Sequence, residues 1–277
     1  MKNYYVFERV IWCHFCDDFE DDFDDFGVIL VSFCVIFVPF LSIFLSFLPS
    51  FSTFSSFSSF LPPFLTPPQP SALQAAVRHA SSRSFNSISV DGDSSTNDSV
   101  AVLANGLAGG AALTESSPSF PTFVASLNTV MSDLAKYLVR DGEGATKFVT
   151  IRVQGARTYA DAKQVANSVA RSALFKTAMF GQDANWGRVL CAVGYSGVAV
   201  DPTKVSLWFG EGEGGERELE LVRNGTPFDT NEERASAILK NKDISVRISL
   251  GEGEEMATMW TCDFSYDYVK INADYRS

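Results

Sequence analysis

Asp141-Gly142-Glu143-Gly144-Ala145-Thr146-Lys147 places a carboxylate between two glycines, with a helix pattern before it and a strand pattern after it. Upstream, Phe123, Leu127, Val130, Met131, Leu134, Tyr137 and Leu138 recur at spacings of three and four, the apolar face of a helix that Pro121 can begin. Downstream, a strand is expected from Phe148 to Val153. A helix running through a short corner into a strand marks an α/β chain. Glycines on both sides let the backbone take positive φ and let a small ligand approach, so Glu143 can project from the corner as a charge or hydrogen-bond acceptor. A solvated Gly/Asp turn is the plain alternative, because both residues are ordinary turn formers.

The pattern continues outward on both sides. After the strand, Thr158 and Asp161 form a capping box for a helix with Ala162, Val165, Ala166, Val169 and Ala173 on one face. Further strands are expected over 189–193, 205–209, 218–222, 244–250 and 260–264, with a short helix over 231–239. Ile244, Val246, Ile248 and Leu250 alternate with Ser, Arg and Ser, as in a sheet with one wet face. The segment 210–215 is glycine-rich but carries two glutamates and no lysine, which argues against a phosphate cradle. Toward the N-terminus, a short helix is expected over 73–79, a strand over 87–90, a turn at Asp91-Gly92-Asp93 and a buried strand over 100–104. Asp91, Asp93 and Ser95 match the first ligands of a calcium loop, but Thr96 stands at its glycine and Val102 at its closing glutamate, so that reading fails.

Residues 1–70 have a different character. Fifteen of the 24 phenylalanines fall in the first 65 positions and no charged residue lies between Asp25 and Arg78, so the two parts are read separately. The net charge of −11 comes from both parts, eight acidic against two basic residues in 1–25 and 25 against 20 thereafter, with no basic cluster to bind nucleic acid. Cys13 and Cys16 have the spacing of half a zinc site or a redox pair without a second pair to complete it. Cys191 and Cys262 read as buried thiols in a reducing compartment. The stretch 26–48 is long and apolar enough for a membrane helix, though Pro39 and three serines weaken it, and the acidic start suits neither a signal peptide nor a transit peptide. A Phe/Ser/Pro tract follows over 51–70. Membrane anchor, disordered extension and wrongly joined coding segment are the three readings.

The chain has no histidine after His79, which excludes Ser-His-Asp and Cys-His catalysis in the folded part. A carboxylate, a lysine or a free α-amino group must serve as base. Several stretches then point one way: Ser84-Phe85-Asn86, Asp91-Gly92-Asp93-Ser94-Ser95-Thr96-Asn97-Asp98, Ala104-Asn105-Gly106, Gly181-Gln182-Asp183-Ala184-Asn185-Trp186-Gly187-Arg188, and the closing Tyr266-Asp267-Tyr268-Val269-Lys270-Ile271-Asn272-Ala273-Asp274-Tyr275-Arg276-Ser277. In this order they resemble the ornithine acetyltransferase (glutamate N-acetyltransferase) family of arginine biosynthesis over 71–277.

The resemblance implies a layered αββα-type sandwich of mixed sheets with flanking helices. It also implies a precursor that cuts itself into two chains and exposes a threonine nucleophile on the second. Acetyl would pass from N-acetylornithine, or from acetyl-CoA as a co-substrate, to that threonine and then to glutamate, in a hetero-oligomer with the family's alpha chain and in the mitochondrial matrix. Position by position, Glu143, Asn272 and Ser277 match the family's substrate-binding residues. No metal or bound cofactor is implied. The family's Asn-Met-Ala-Thr nucleophile run belongs upstream of residue 71 and is missing, so this chain alone is expected to be inactive. Met256-Ala257-Thr258-Met259 is a decoy, placed where the family has a variable loop. Residues 1–70 match nothing in the family. A membrane-anchored module that binds an amino acid without turnover is the alternative.

Overall fold

The computed structural model describes residues 30–33, 68–94, 98–104, 112–228 and 231–274, with 30–33 as backbone only. The Cys13/Cys16 pair, the acidic run, the Phe/Ser/Pro tract before residue 68, most of 26–48, Asn105-Gly106 and Ser277 lie outside the described residues.

The chain divides into two compact units, Met1–Asn86 with Ser94–Ser132, and Ser87–Asp93 with Asp133–Ser277. In the first, strand β1 (Leu30–Phe33) precedes helix α1 (Pro70–Arg83), which is longer than the expected 73–79. Pro70 suits the first helical turn because the missing N–H would have no partner there. Ala72, Leu73, Ala76, Val77 and Ala80 form its buried stripe.

Strand β2 (Ile88–Ser89) belongs to the second unit, whereas β3 (Val100–Leu103) returns to the first and runs antiparallel to β1. Helix α2 (Phe120–Arg140) follows, with Pro121 in its first turn. Its buried row is Phe123, Leu127, Met131, Ala135 and Val139, and Tyr137 is 67% exposed. The expected stripe was centred too far toward Tyr137, because Ala135 and Val139 complete the i, i+4 row that reaches the core.

In the second unit α2 turns into β4 (Phe148–Ala156), then α3 (Tyr159–Ala170), α4 (Ala173–Phe180) and α5 (Trp186–Gly194). Strands β5 (Ser206–Glu211), β6 (Glu216–Arg223) and β7 (Thr226–Pro227) lead to α6 (Glu232–Leu239), β8 (Asp243–Ser249), β9 (Glu255–Cys262) and α7 (Tyr266–Asp274). The seven strands form one mixed sheet in the order β2-β9-β4-β8-β5-β6-β7. The pairs β2/β9 and β4/β8 are parallel, and the others antiparallel.

Thr158 caps α3 as expected, its side chain accepting from the Asp161 N–H at 3.0 Å. Ala173, however, is exposed at the start of α4 rather than on the buried face of α3, since α3 ends at Ala170 with Arg171 as its C-cap and Ser172 caps the next helix. The expected strand over 189–193 is helix α5. Asn185 caps it, and Val189, Ala192 and Val193 meet the core at helical spacing, which turns Cys191 outward as an exposed thiol. A five-residue apolar run carries either period, and the cap decides.

One sheet face buries Val149, Ile151, Val153, Ile244, Val246 and Ile248 against α3, α4 and α5. The opposite face is drier than the alternation suggests. Thr150 and Ser245 stand opposite each other, 1% and 2% exposed, and neither hydroxyl has a hydrogen-bond partner among the described residues. Arg247 is neutralised by Glu218 and lies 3.7 Å from the Trp208 ring centroid. In the glycine-rich turn, Glu213 is held by Lys136 and Arg140 at 3.0 and 2.6 Å, so its charge serves an ion-pair cluster.

Candidate substrate-binding site

The corner that carries Glu143 is fixed from behind by the end of β9. Asp263, 2% exposed, accepts from the backbone N–H of Thr146 and of Lys147 on one oxygen, each at 2.8 Å. Its second oxygen accepts from the Thr146 hydroxyl at 2.5 Å. Lys147 reaches the other way, donating to the carbonyls of Lys240 and Asn241 at 3.2 and 2.9 Å beyond α6. Desolvation lowers the Lys147 pKa, and Asp263 partly offsets it.

Glycine at 144 is required for a reason other than ligand access. Its φ is +65°, and a Cβ there would sit 2.6 Å from the Tyr268 nitrogen and 2.8 Å from Ser265 Oγ. The partner that approaches Gly144 is the first turn of α7. Ser265 Oγ donates to the Gly144 carbonyl at 2.6 Å and accepts from the Tyr268 N–H at 3.2 Å, joining helix start to corner.

Glu143 and Asn272 are brought together. Asn272 Nδ2 donates to Glu143 Oε2 at 2.8 Å across 129 positions of sequence, and both side chains are exposed. Over Tyr266–Asp274 the closing stretch is therefore a helix tied to this corner. Glu143 has no ion-pair partner among the described residues, which leaves its charge available to an incoming cation. Tyr268, one turn before Asn272, has its pKa pushed up to about 12 by burial and by its bond to Asp91, with Asp91, Glu143 and Asp93 adding negative charge. Burial and three nearby carboxylates thus both oppose a phenolate at Tyr268.

Residues not singled out individually from the sequence carry this geometry. Asp263, Ser265 and Tyr268 touch Thr146, Gly144 and Asp91 over separations of 117, 121 and 177 positions. For Tyr268 the only signal was membership of a quoted motif, and Asp91 was read as a turn residue and a failed calcium ligand rather than as a partner of the closing stretch. In the stretch 181–188, Asn185 caps α5 and Arg188 donates to the Leu174 carbonyl at 2.7 Å, closing the α4–α5 corner. Thr258 lies inside β9, opposite Arg152 of β4 and between buried Ala257 and Met259, so it is strand and not loop.

Comparison with known proteins gives this geometry a family. The ArgJ family profile matches residues 66–277. The chain belongs to the ArgJ family. The mitochondrial arginine biosynthesis bifunctional protein ArgJ of Schizosaccharomyces pombe is 55% identical over 206 residues, covering 74% of this chain and 46% of that protein. The ArgJ of Yarrowia lipolytica is 54% identical over 212 residues, covering 76% and 49%. The chain thus spans about half the length of the curated ArgJ relatives it matches. A crystal structure of ArgJ from Bacillus halodurans superposes with a TM-score of 0.71 at 40% identity, covering 76% of this chain and 96% of that one. Its agreement supports the mixed α/β fold.

Proposed function

We propose that this chain supplies the amino-acid pocket of a mitochondrial glutamate N-acetyltransferase of arginine biosynthesis. In this reading acetyl passes from N-acetylornithine, or from acetyl-CoA, to glutamate through a threonine ester. The observation that carries the reading is the 2.8 Å contact between Glu143 and Asn272, two residues assigned to substrate binding by motif alone. A carboxylate beside an amide, with no ion-pair partner among the described residues, suits a substrate ammonium and its neighbouring polar groups. Ser277 is the third proposed pocket residue and lies outside the described residues. Residues 71–277 form the functional part, and 1–70 an extension outside it.

The nucleophile comes from another segment. Thr258 cannot become a chain-starting threonine without breaking the ladder between β9 and β4. That the bacterial crystal chain is covered over 96% of its length, against 46% of the S. pombe protein, is consistent with an enzyme assembled from two chains. Small-molecule substrates and an alpha-chain partner follow from the same reading. The membrane-anchored alternative rests on 26–48, where Leu30–Phe33 is strand and the rest lies outside the described residues; among the described residues no helix is long and apolar enough to cross a bilayer.

The test is acetyl transfer from N-acetylornithine to glutamate. The purified chain is expected to show none, and an intact precursor carrying these residues behind the threonine segment is expected to turn over. Transfer by the chain alone refutes the missing nucleophile, and a silent precursor refutes the reading as a whole.

Within the precursor, Glu143→Gln keeps an acceptor for Asn272 but removes the charge facing the substrate. A charge-assisted hydrogen bond is worth about 1.5–3 kcal/mol, so kcat/KM is expected to fall roughly tenfold to hundredfold. An unchanged kcat/KM would place the ammonium elsewhere.

A further inference from the structure

Helix α7 carries Asn272 but buries none of its own residues. Tyr266, Val269 and Ile271 are 83%, 63% and 44% exposed. With little apolar area holding it down, a few directional contacts set its position. One is at its start, where Ser265 joins Gly144. The next is Tyr268, whose ring stacks on Phe264 with centroids 4.7 Å apart and planes inclined by 21°. The Tyr268 phenol then donates to Asp91 Oδ2 at 3.0 Å, across 177 positions of sequence.

Asp91 is itself anchored. Its other oxygen accepts from the Asp93 N–H at 2.9 Å, closing a turn in which Gly92 takes φ +95°. A side chain at 92 would meet the Arg171 guanidinium, with Nε 2.8 Å from its Cβ. The turn directly follows β2, which pairs with β9 through Ser89 and Thr261. Asp91 is thus a fixed acceptor built onto the edge of the sheet, and both its oxygens are used.

We infer that Asp91 and Tyr268 form a latch that holds α7 where Asn272 meets Glu143. They are positioning residues, and their bearing on substrate rests on the pocket proposed above. Asn272 Nδ2 also donates to the Tyr268 carbonyl at 3.0 Å, so the latch residue and the pocket residue are successive members of one helical row. Four residues of helix rise about 6 Å. A small pivot about the Ser265 contact therefore carries Asn272 out of reach of Glu143, while Tyr268 stays near its ring partner. A carboxylate acceptor makes the latch bond charge-assisted and directional, which a stacked ring alone is not. The phenol, held protonated up to about pH 12, remains a donor wherever enzymes work.

Two measurements on Tyr268→Phe, Asp91→Ala and the double variant test the latch. Tyr268→Phe keeps the stacked ring and so separates the hydrogen bond from packing. In the full 277-residue chain, hydrogen exchange at the amides of 270–274 is expected to accelerate about tenfold or more in each single variant, and no further in the double than in Asp91→Ala, which loses the Tyr268 bond together with its own bond to the Asp93 N–H. In the intact precursor, KM for N-acetylornithine is expected to rise about tenfold with kcat held within about twofold, the mark of lost uniform binding. Unchanged exchange, or additive effects in the double variant, overturns the latch. Accelerated exchange with an unchanged KM, or with a loss confined to kcat, overturns its positioning role. A wild-type precursor without any transfer defeats the function proposed above, and the latch then stands or falls on the exchange data alone.

Discussion

Asp263→Ala is expected to cost about 2–6 kcal/mol of stability, roughly 1–3 kcal/mol for each of the two amides it leaves without an acceptor. Those amides belong to Thr146 and Lys147, each 2.8 Å from one carboxylate oxygen, and Asp263 is 2% exposed, so water cannot replace it without opening the corner. Asp263→Asn is the informative companion. Its carbonyl oxygen can still serve both amides, and its NH2 can donate to the Thr146 hydroxyl that formerly donated, so a loss of about 1–2 kcal/mol is expected. Urea midpoints with an unchanged m-value measure both. If Asp263→Ala shifts the midpoint no more than Asp263→Asn does, the corner is held by something other than this carboxylate, and the structural basis for placing Glu143 is lost.

What could be read in the sequence was local. Thr158 with Asp161, Asn231 before α6, and Ile244, Val246 and Ile248 in β8 each announce an element through neighbours a few residues apart. The strand expected over 189–193 failed through competition between periods in a short apolar run. The stretch around Val189 and Val193 fits a strand or a helix, and the Asn185 side chain settles it by capping Arg188 N–H at 3.3 Å. Exposed Cys191 follows from that one misreading. Of the proposed site, Glu143 and Asn272 were named through motif resemblance. Their mutual contact and the residues that enforce it were not, since Asp263, Tyr268 and Asp91 act across more than a hundred positions and no local pattern encodes them. The buried hydroxyls of Thr150 and Ser245 escaped for a similar reason: alternation shows which face a residue takes, but not whether that face is wet.

Lys176→Ala is expected to cost about 2–5 kcal/mol, and Lys176→Met less than about 1.5 kcal/mol. Lys176 is among the largest fully buried side chains, so alanine opens a cavity that methionine fills. Its ammonium donates to Thr261 Oγ1 at 2.7 Å and to the Cys262 carbonyl, with Cys262 Sγ at 3.7 Å and the Phe264 ring centroid at 4.6 Å. Burial pushes the Lys176 pKa below its ordinary 10.5, while the nearby Cys262, Asp263 and Asp91 pull it back only in part. The sign of the pH dependence follows. Between the depressed folded pKa and 10.5 the unfolded chain binds a proton that the folded chain has released, so stability contributed by this site rises with pH through that window. Cys262 works against it: burial raises its thiol above 9.0, the folded chain keeps a proton the unfolded chain loses, and stability falls as pH climbs past that value. The two are in contact, so the comparison belongs in a Cys262→Ala background, where Lys147 and Tyr268 are common to both proteins and cancel. There, the stability of the Lys176 protein relative to its Lys176→Met counterpart should increase as pH climbs from the depressed folded pKa and level off near 10.5. A difference that stays flat would mean the ammonium keeps its ordinary pKa in place. Its hydrogen bonds to the end of β9 would then offset its burial, and urea midpoints of the two proteins across this pH range decide between the outcomes.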